Sequence, residues 1–125
     1  MKEDIIHFNS SAEFYTREGC FINENSNSPN DPGVSIAQAR IEPGVTTRWH
    51  HLIGSVERYL ILEGKGLVEI GNLPPAEVNP GDVVIIPPEC RQRIKNIGND
   101  DLVFSCIVTP GFKQENYVDI ENMIS

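Results

Sequence analysis

The sequence predicts an all-β, single-domain fold of the small-barrel or jelly-roll type. The chain has 125 residues, the length of one domain rather than two. Its ten glycines and nine prolines fall mainly between short apolar runs, as in proteins built from many brief strands joined by turns. Several of these runs alternate between apolar and polar residues, which is the period of a half-buried strand. A barrel or jelly roll is the usual way to close roughly eight to ten such strands.

Residues 34–110 hold the predicted strands of the core. A turn that contains glycine, proline or asparagine separates each strand from the next. In chain order the predicted strands are residues 34–41, 46–53, 56–63, 67–70, 76–78, 83–86, 91–97 and 102–109.

Two of these runs have clear burial patterns. In residues 56–63, Glu57, Tyr59 and Ile61 share one face, which we expect to point into the barrel. Residues 83–86 are apolar throughout, which predicts a strand that is buried on both faces. The Pro87-Pro88 step that follows disfavours a core helix at this position.

The two ends of the chain differ from this core in composition. Residues 1–33 predict one or more N-terminal strands and, at 23–33, a polar solvent-exposed loop. Residues 111–125 are a C-terminal extension, for which a short docked helix and a frayed end are both open. The predicted division of the chain is therefore 1–33, 34–110 and 111–125.

A specific order of residues begins at the turn after residues 34–41. It runs glycine, five residues, histidine, one residue, leucine, four residues, glutamate, six residues and glycine, at Gly44, His50, Leu52, Glu57 and Gly64. This order resembles the first motif of the cupin superfamily. In that motif a second histidine stands two residues after the first, and here Leu52 occupies its place.

The second cupin motif is similar to residues 81–96. Its glycine, proline and asparagine match Gly81, Pro87 and Asn96. Glu89 stands where the motif has a glycine, and Gln92 stands where it has a histidine. With flanking strands the resemblance covers about residues 34–110, and it implies the double-stranded β-helix of the family, a jelly-roll barrel.

The resemblance also implies a metal site inside the barrel. In the family the ligands are the two histidines and the glutamate of the first motif and the histidine of the second. Carried over to this sequence, the set becomes His50, Glu57 and Gln92, with Leu52 as a core residue. One imidazole and two oxygen donors suit a divalent ion such as Mn²⁺ or Fe²⁺, and Zn²⁺ or Ni²⁺ also fit.

Each candidate ligand also has a structural role open to it. His50 and Glu57 would meet across adjacent strands, where they could hydrogen-bond each other without a metal. Gln92 could instead be a hydrogen-bonding group of the core. His51 becomes a ligand only if a bulge turns it inwards, because regular alternation sends it to the opposite face.

Three functions are consistent with these residues. The first is a metal-dependent enzyme with dioxygenase, isomerase or lyase chemistry on a small polar molecule, with Glu57 as ligand or base and Tyr59 as acid. Three inward polar groups at ligand positions favour it. The second is a metal-free cupin that binds or isomerises a sugar-like ligand, with His50 and Glu57 as an acid/base pair. The third is a non-catalytic sensor or scaffold barrel.

Neighbouring residues predict the surroundings of the site. Arg48 shares the parity of His50 and would meet an anionic substrate at the mouth of the barrel. Trp49 has the opposite parity and is expected to be an exposed aromatic on the outside. Arg91 and Arg93 are also expected outside, whereas Cys106 is expected inside as a small apolar filler.

Composition and charge exclude several partners. The formal net charge of −8, without a basic cluster, disfavours a nucleic-acid partner. No run approaches the ~18 apolar residues needed to cross a bilayer, and residues 1–4 are too acidic to open a signal peptide. Three widely spaced cysteines without a CxxC pair predict reduced thiols, and a cytoplasmic location is predicted.

A small-molecule ligand and a second copy of the chain are the predicted partners. Small cupins often pair through edge strands, and the apolar segments 20–22 and 34–41 would serve as such edges. The sequence therefore predicts a homodimer.

Overall fold

The computed structural model describes residues 1–123, and this part of the chain contains eleven strands and three short 3₁₀ turns. The turns are Ser10–Ala12, Gln114–Asn116 and Glu121–Met123. The strands are β1 (Phe14–Tyr15), β2 (Phe21–Ser26), β3 (Ser35–Ile41), β4 (His50–Leu52), β5 (Val56–Glu63), β6 (Gly66–Ile70), β7 (Ala76–Val78), β8 (Val83–Ile86), β9 (Gln92–Asn96), β10 (Leu102–Thr109) and β11 (Tyr117–Asp119).

The strands form two antiparallel sheets. One sheet has six strands in the order β1-β2-β3-β10-β5-β8, and the other has five in the order β11-β4-β9-β6-β7. Strands that are distant in the sequence are neighbours in both sheets, as in a jelly roll. The all-β fold and its double-stranded β-helix architecture are therefore confirmed.

The core lies between the two sheets and follows the period of two. In β5, Glu57, Tyr59 and Ile61 are buried, whereas the residues between them are partly exposed. Ile94 from β9 and Ile86 from β8 are almost completely buried in the same core. Each side chain of this size stabilises the fold by about 1.5–3 kcal/mol when it is buried.

The prediction of two-sided burial for residues 83–86 is wrong. Val84 and Ile86 point into the core, but Val83 is 58% exposed and Ile85 is 66% exposed. The reason is that the two sheets pack on each other through one face, and no described residue covers the outer face of β8. The uninterrupted apolar run thus predicted a strand correctly, but it did not predict how many faces of the strand are buried.

The segment around Trp49 also differs from expectation. Only His50–Leu52 of the predicted 46–53 strand is regular, and Thr46 makes an isolated bridge to Lys95. Trp49 is 6% exposed rather than an exposed aromatic. The guanidinium groups of Arg91 and Arg93 lie 4.9 Å and 4.4 Å from its ring and cover it on the outside of the barrel.

Both ends of the chain join the sheets. Residues 23–26, predicted to be loop, belong to β2 and pair with β3. In the C-terminal extension, Tyr117–Asp119 is a strand that pairs with β4, between the 3₁₀ turns Gln114–Asn116 and Glu121–Met123, so these three residues are neither helical nor frayed. Residues 124 and 125 of the predicted extension lie outside the described residues, and the division at 34 and 110 stays a prediction.

The segments expected to form a dimer edge lie inside a sheet. β2, which contains Phe21 and Ile22, has β1 and β3 as neighbours, and β3 has β2 and β10. Their edges are occupied, so they cannot pair with a second copy in the way the sequence indicated. The free edges of the six-stranded sheet are β1 and β8.

The glycine positions of the motifs have a structural cause. Gly64 has a φ of +85°, and a Cβ there would lie 2.7 Å from the Asp101 carbonyl oxygen. Glu89, at the second motif's glycine place, has a φ of 61°, the left-handed region that favours glycine. Its backbone N–H donates to the Leu52 carbonyl, and its side chain accepts from the Gly54 N–H. These bonds hold a glutamate in a glycine conformation.

Within residues 1–123, no helix reaches the length and hydropathy that a membrane span requires. The cytoplasmic location stays a prediction.

Candidate active site in the barrel cavity

The barrel contains a cavity of about 700 Å³. Its inner part is lined by side chains of β3, β4, β5 and β10, and its outer part by the segments that precede β2 and surround β11. The polar and reactive residues on its surface include His50, Glu57, Tyr59 and Cys106. A cavity of this size takes a small-molecule ligand.

His50 is held by three groups. It is 2% exposed and lies opposite Gln92 in the pairing of β4 with β9. Its Nδ1 lies 2.8 Å from the Arg48 carbonyl oxygen, which only accepts, so Nδ1 carries a hydrogen. The other nitrogen, Nε2, lies 3.4 Å from Glu18 Oε1, and the ring of Tyr117 stacks on the imidazole at 5.0 Å.

The partner of His50 is therefore Glu18 rather than Glu57. The sequence left open a hydrogen bond between His50 and Glu57 as the alternative to a shared metal, and no such bond is formed among the described residues. Both side chains nevertheless line the same cavity, as the alternation of β4 and β5 predicts.

Glu57 is a buried carboxyl group with an unused oxygen. The residue is 8% exposed, and among the described residues its Oε1 has no hydrogen-bond partner. Burial raises the pKa of this carboxyl to about 7, against lowering effects of His50, Gln92 and Cys106. Glu57 is therefore available in both its protonated and its ionised form near neutral pH.

Gln92 and Tyr59 form a pair behind Glu57. Gln92 is completely buried, its Oε1 accepts a hydrogen bond from the Tyr59 hydroxyl, and its amide lowers the pKa of the Glu57 carboxyl. Burial, followed by the charge of Glu57, raises the pKa of Tyr59 well above its ordinary value. Tyr59 thus remains a neutral donor that orients Gln92, and its predicted role as an acid stays a prediction.

The other residues that the sequence singled out lie around His50 and Glu57 as follows. Leu52 lines the cavity as an apolar residue, and His51 is absent from the lining, because β4 alternates without a bulge. Cys106 faces Glu57, and burial raises the pKa of its thiol, so it is not a ready nucleophile. Arg48 forms an ion pair with Asp119, with its Nε 2.6 Å from Asp119 Oδ2, so it is not free to bind an anionic substrate.

Sequence reasoning missed Glu18 and Tyr117. Glu18 precedes Gly19, whose φ of +99° turns the chain into β2. No motif marks it, and only the glycine signals the turn. Tyr117 comes from the extension, where the neighbouring β-forming residues Tyr117 and Val118 are the only strand signal in a polar segment.

The geometry of the predicted metal ligands does not suit a metal ion. The Gln92 Oε1 is engaged by Tyr59, and Gln92 does not reach the cavity surface. Leu52 offers no donor. Within residues 1–123, no three His, Cys, Asp or Glu side chains lie close enough to hold a metal ion. The set of His50, Glu57 and Gln92, as arranged, does not fit a divalent ion.

Two solved structures are similar to this fold. Pac13 from Streptomyces, described as a unique nucleoside dehydratase, has a TM-score of 0.77 at 14% identity, over 94% of this chain and 92% of that chain. A predicted oxalate decarboxylase from Thermotoga maritima, tm1287, has a TM-score of 0.71 at 22% identity, over 83% and 98%. At these identities the likeness shows the fold alone.

Sequence comparison shows the family. The uncharacterized protein MJ1618 of Methanocaldococcus jannaschii is 36% identical over 118 residues, which cover 93% of this chain and 94% of the relative. The family model described as Cupin domain matches residues 37–108. Glu18 and Tyr117 lie outside the matched part. With its two antiparallel sheets, its two motifs and this match, the chain belongs to the cupin family.

Proposed function

We propose that the protein is an acid–base enzyme that acts on a small polar molecule in its barrel cavity, with Glu57 as the group that transfers a proton. The observation that carries the proposal is the free Oε1 of Glu57, which among the described residues is a buried carboxylate oxygen without a partner, on a residue that lines the cavity. A buried polar group without a partner costs free energy unless a ligand supplies one. A substrate that donates a hydrogen bond would do so.

The surrounding residues support proton transfer by Glu57. A general acid or base works best when its pKa lies near the working pH, and the pKa of Glu57 is about 7. Glu18 and His50 together offer a second proton position, because Glu18 Oε1 lies 3.4 Å from His50 Nε2 and both residues line the cavity. One group accepts a proton from the substrate while the other delivers one.

One comparison supports an elimination reaction. Pac13, which shares the fold, is named a nucleoside dehydratase. Loss of water needs a base at carbon and an acid at the leaving hydroxyl, which matches two proton positions in one cavity. We therefore rank an elimination from a small polar molecule first.

A metal-dependent reaction is the alternative. The family often binds divalent metals, and the sequence predicts Mn²⁺, Fe²⁺, Zn²⁺ or Ni²⁺ on His50, Glu57 and Gln92. The engagement of Gln92 by Tyr59 argues against this set as arranged. Metal analysis of protein purified without a histidine tag separates the two proposals. Stoichiometric metal that is lost in His50→Ala would overturn the metal-free proposal.

The acid–base proposal can be tested before the substrate is identified. Wild-type protein and Glu57→Gln are incubated with a small-molecule extract of cells, with and without a chelator, and the mixtures are compared by mass spectrometry. We expect compounds that the wild type consumes and Glu57→Gln does not, with the chelator present. Glu63→Gln, an exposed carboxyl of the same strand, is the matched control and should behave as wild type. An unchanged extract would leave a non-catalytic sensor or scaffold as the function.

A further inference from the structure

Negative groups predominate around the cavity. The carboxyl groups that line it belong to Glu18, Glu24, Glu57 and Asp119. Among the described residues, Arg17 is the only Lys or Arg side chain on this surface. Arg48 neutralises Asp119 at 2.6 Å, which leaves three glutamates facing one arginine. A cavity of low dielectric strengthens the repulsion that an anion would meet there.

Glu18 occupies the place that an anion would choose. The natural anion donor of the cavity is the Nε2 of His50, because Nδ1 is already engaged by the Arg48 carbonyl. Glu18 Oε1 lies 3.4 Å from this nitrogen, and its side chain is 20% exposed. A carboxylate or phosphate that approached His50 would therefore meet the carboxyl group of Glu18 first. Burial raises the pKa of Glu18, against the lowering effect of His50, so the repulsion is fully present only once this carboxyl is ionised.

Glu57 supplies independent evidence that the ligand is a hydrogen-bond donor rather than an anion. Its free Oε1 belongs to a residue that is only 8% exposed and lines the cavity. In its ionised form the carboxylate accepts hydrogen bonds and donates none. The partner that the ionised form lacks is therefore a hydroxyl, an N–H group or an ammonium group, and not the oxygen of an anion.

We propose that the cavity takes a ligand that carries no negative charge and donates a hydrogen bond to Glu57, and that Glu18 excludes anions by occupying the free nitrogen of His50. The inference rests on the proposed function, since it specifies the substrate class of the same site. Sugars, other polyols and nucleosides belong to this class, whereas their phosphates and carboxylates do not. Glu18 acts as a specificity-determining residue that the family-matched part of the chain does not contain.

The experiment uses pairs of probes that share a skeleton and differ in charge. Glucose is paired with glucuronate, ribose with ribose 5-phosphate, and adenosine with adenosine monophosphate. Binding to the full chain is measured by saturation-transfer NMR titration at low ionic strength, because salt screens the repulsion. We expect at least one neutral member to bind, and its anionic partner to bind about tenfold more weakly or worse.

Two variants locate the effect. Glu18→Gln keeps the size of the side chain and removes its charge. We therefore expect the ratio of the dissociation constants of the anionic and the neutral member of a pair to fall about tenfold, chiefly because the anion binds more tightly. Glu63→Gln removes an exposed charge from the outside and should leave this ratio unchanged. A third variant, Ala37→Phe, would fill part of the cavity and should abolish binding of every probe, with circular dichroism as the check on folding.

The outcomes separate the inference from the function on which it rests. Anionic members that bind as well as the neutral ones, and lose binding in Ala37→Phe, would overturn the inference and leave a ligand site in place. A ratio of dissociation constants that Glu18→Gln does not change would overturn the role of Glu18. Absence of binding by every probe would count against both the inference and the proposed function.

Discussion

Among single residues, Glu57 is a buried carboxyl group whose pKa is shifted into the neutral range. Its pKa moves from 4.5 to about 7, mainly because the cavity removes water from the carboxyl group. Between these two values the folded protein keeps a proton that the unfolded chain has lost. The free energy of unfolding therefore falls as the pH rises from about 4.5 to about 7, and the penalty is fully present above that range. The displacement corresponds to at most about 3 kcal/mol.

The substitution Glu57→Gln should remove this dependence, because an amide does not ionise. Relative to wild type, we expect the variant to gain up to about 3 kcal/mol between about pH 4.5 and about pH 8. Urea denaturation of both proteins at several pH values measures the difference. Glu63→Gln, whose carboxyl is exposed, should follow the wild-type curve. Parallel curves for wild type and Glu57→Gln would contradict the buried position of the carboxyl.

The residues of the centre could be predicted only in part from the sequence. The inward positions of His50, Glu57 and Gln92 follow from alternation and from the motifs, and they are found. Their partners do not follow, because Glu18 and Tyr117 reach His50 from segments that are 32 and 67 residues away and carry no motif. Which nitrogen of His50 meets which carboxylate is a matter of three-dimensional packing alone.

Among the secondary structure elements, two turns differ in how strictly they require glycine. Gly44 lies in the turn before β4, and Gly64 lies in the turn after β5. Both Gly64 and Gly44 have a positive φ, at +85° and +81°. A Cβ on Gly44 would meet nothing within 4 Å, whereas one on Gly64 would press on the backbone of Asp101. A side chain at position 44 would therefore cause conformational strain alone, whereas one at position 64 would cause both strain and a steric clash.

We expect Gly44→Ala to lose about 1–2 kcal/mol of unfolding free energy, the cost of a left-handed alanine. Gly64→Ala should lose clearly more, because the backbone of β10 must also move away. Thermal and urea denaturation of the two variants provide the comparison. Equal losses would show that the contact with Asp101 is relieved without cost.

The bounds of strands were predicted where turns enclose a run, and burial was mispredicted where neighbouring elements decide it. Val56–Glu63, Ala76–Val78 and Leu102–Thr109 begin and end at the predicted residues, because turns bound them on both sides. The burial of residues 83–86 depends on whether a second layer covers the outer face of β8, and the burial of Trp49 depends on two arginines beside it. Neither dependence is written in the local sequence.

At the scale of the whole molecule, the outer face of the six-stranded sheet is apolar near its free edge. Val83 and Ile85 on β8 and Leu62 on β5 are exposed there, at 58%, 66% and 42%. Exposed apolar side chains on an unpaired edge strand are a common site of pairing between chains. The predicted homodimer is therefore better placed at β8 than at the segments 20–22 and 34–41.

We predict a dimer in light scattering at micromolar concentration and a monomer for Ile85→Glu, because the new charge would be buried in the interface. Leu73→Glu is the matched control, since Leu73 is 70% exposed in the turn between β6 and β7. It should remain dimeric. A monomeric wild type would refute the homodimer, and a dimeric Ile85→Glu would move the contact to another surface.

The contacts of His50 with distant parts of the chain also bear on biosynthesis. Glu18 is made before His50, but the ring that stacks on the imidazole belongs to Tyr117, which follows 67 residues later. β11 borders β4, which is paired on its other side with β9. A nascent chain that has not yet reached Tyr117 would therefore leave this border of β4 unpaired, with His50 exposed along it. The wall of the cavity at His50 is completed only once β11 has been translated.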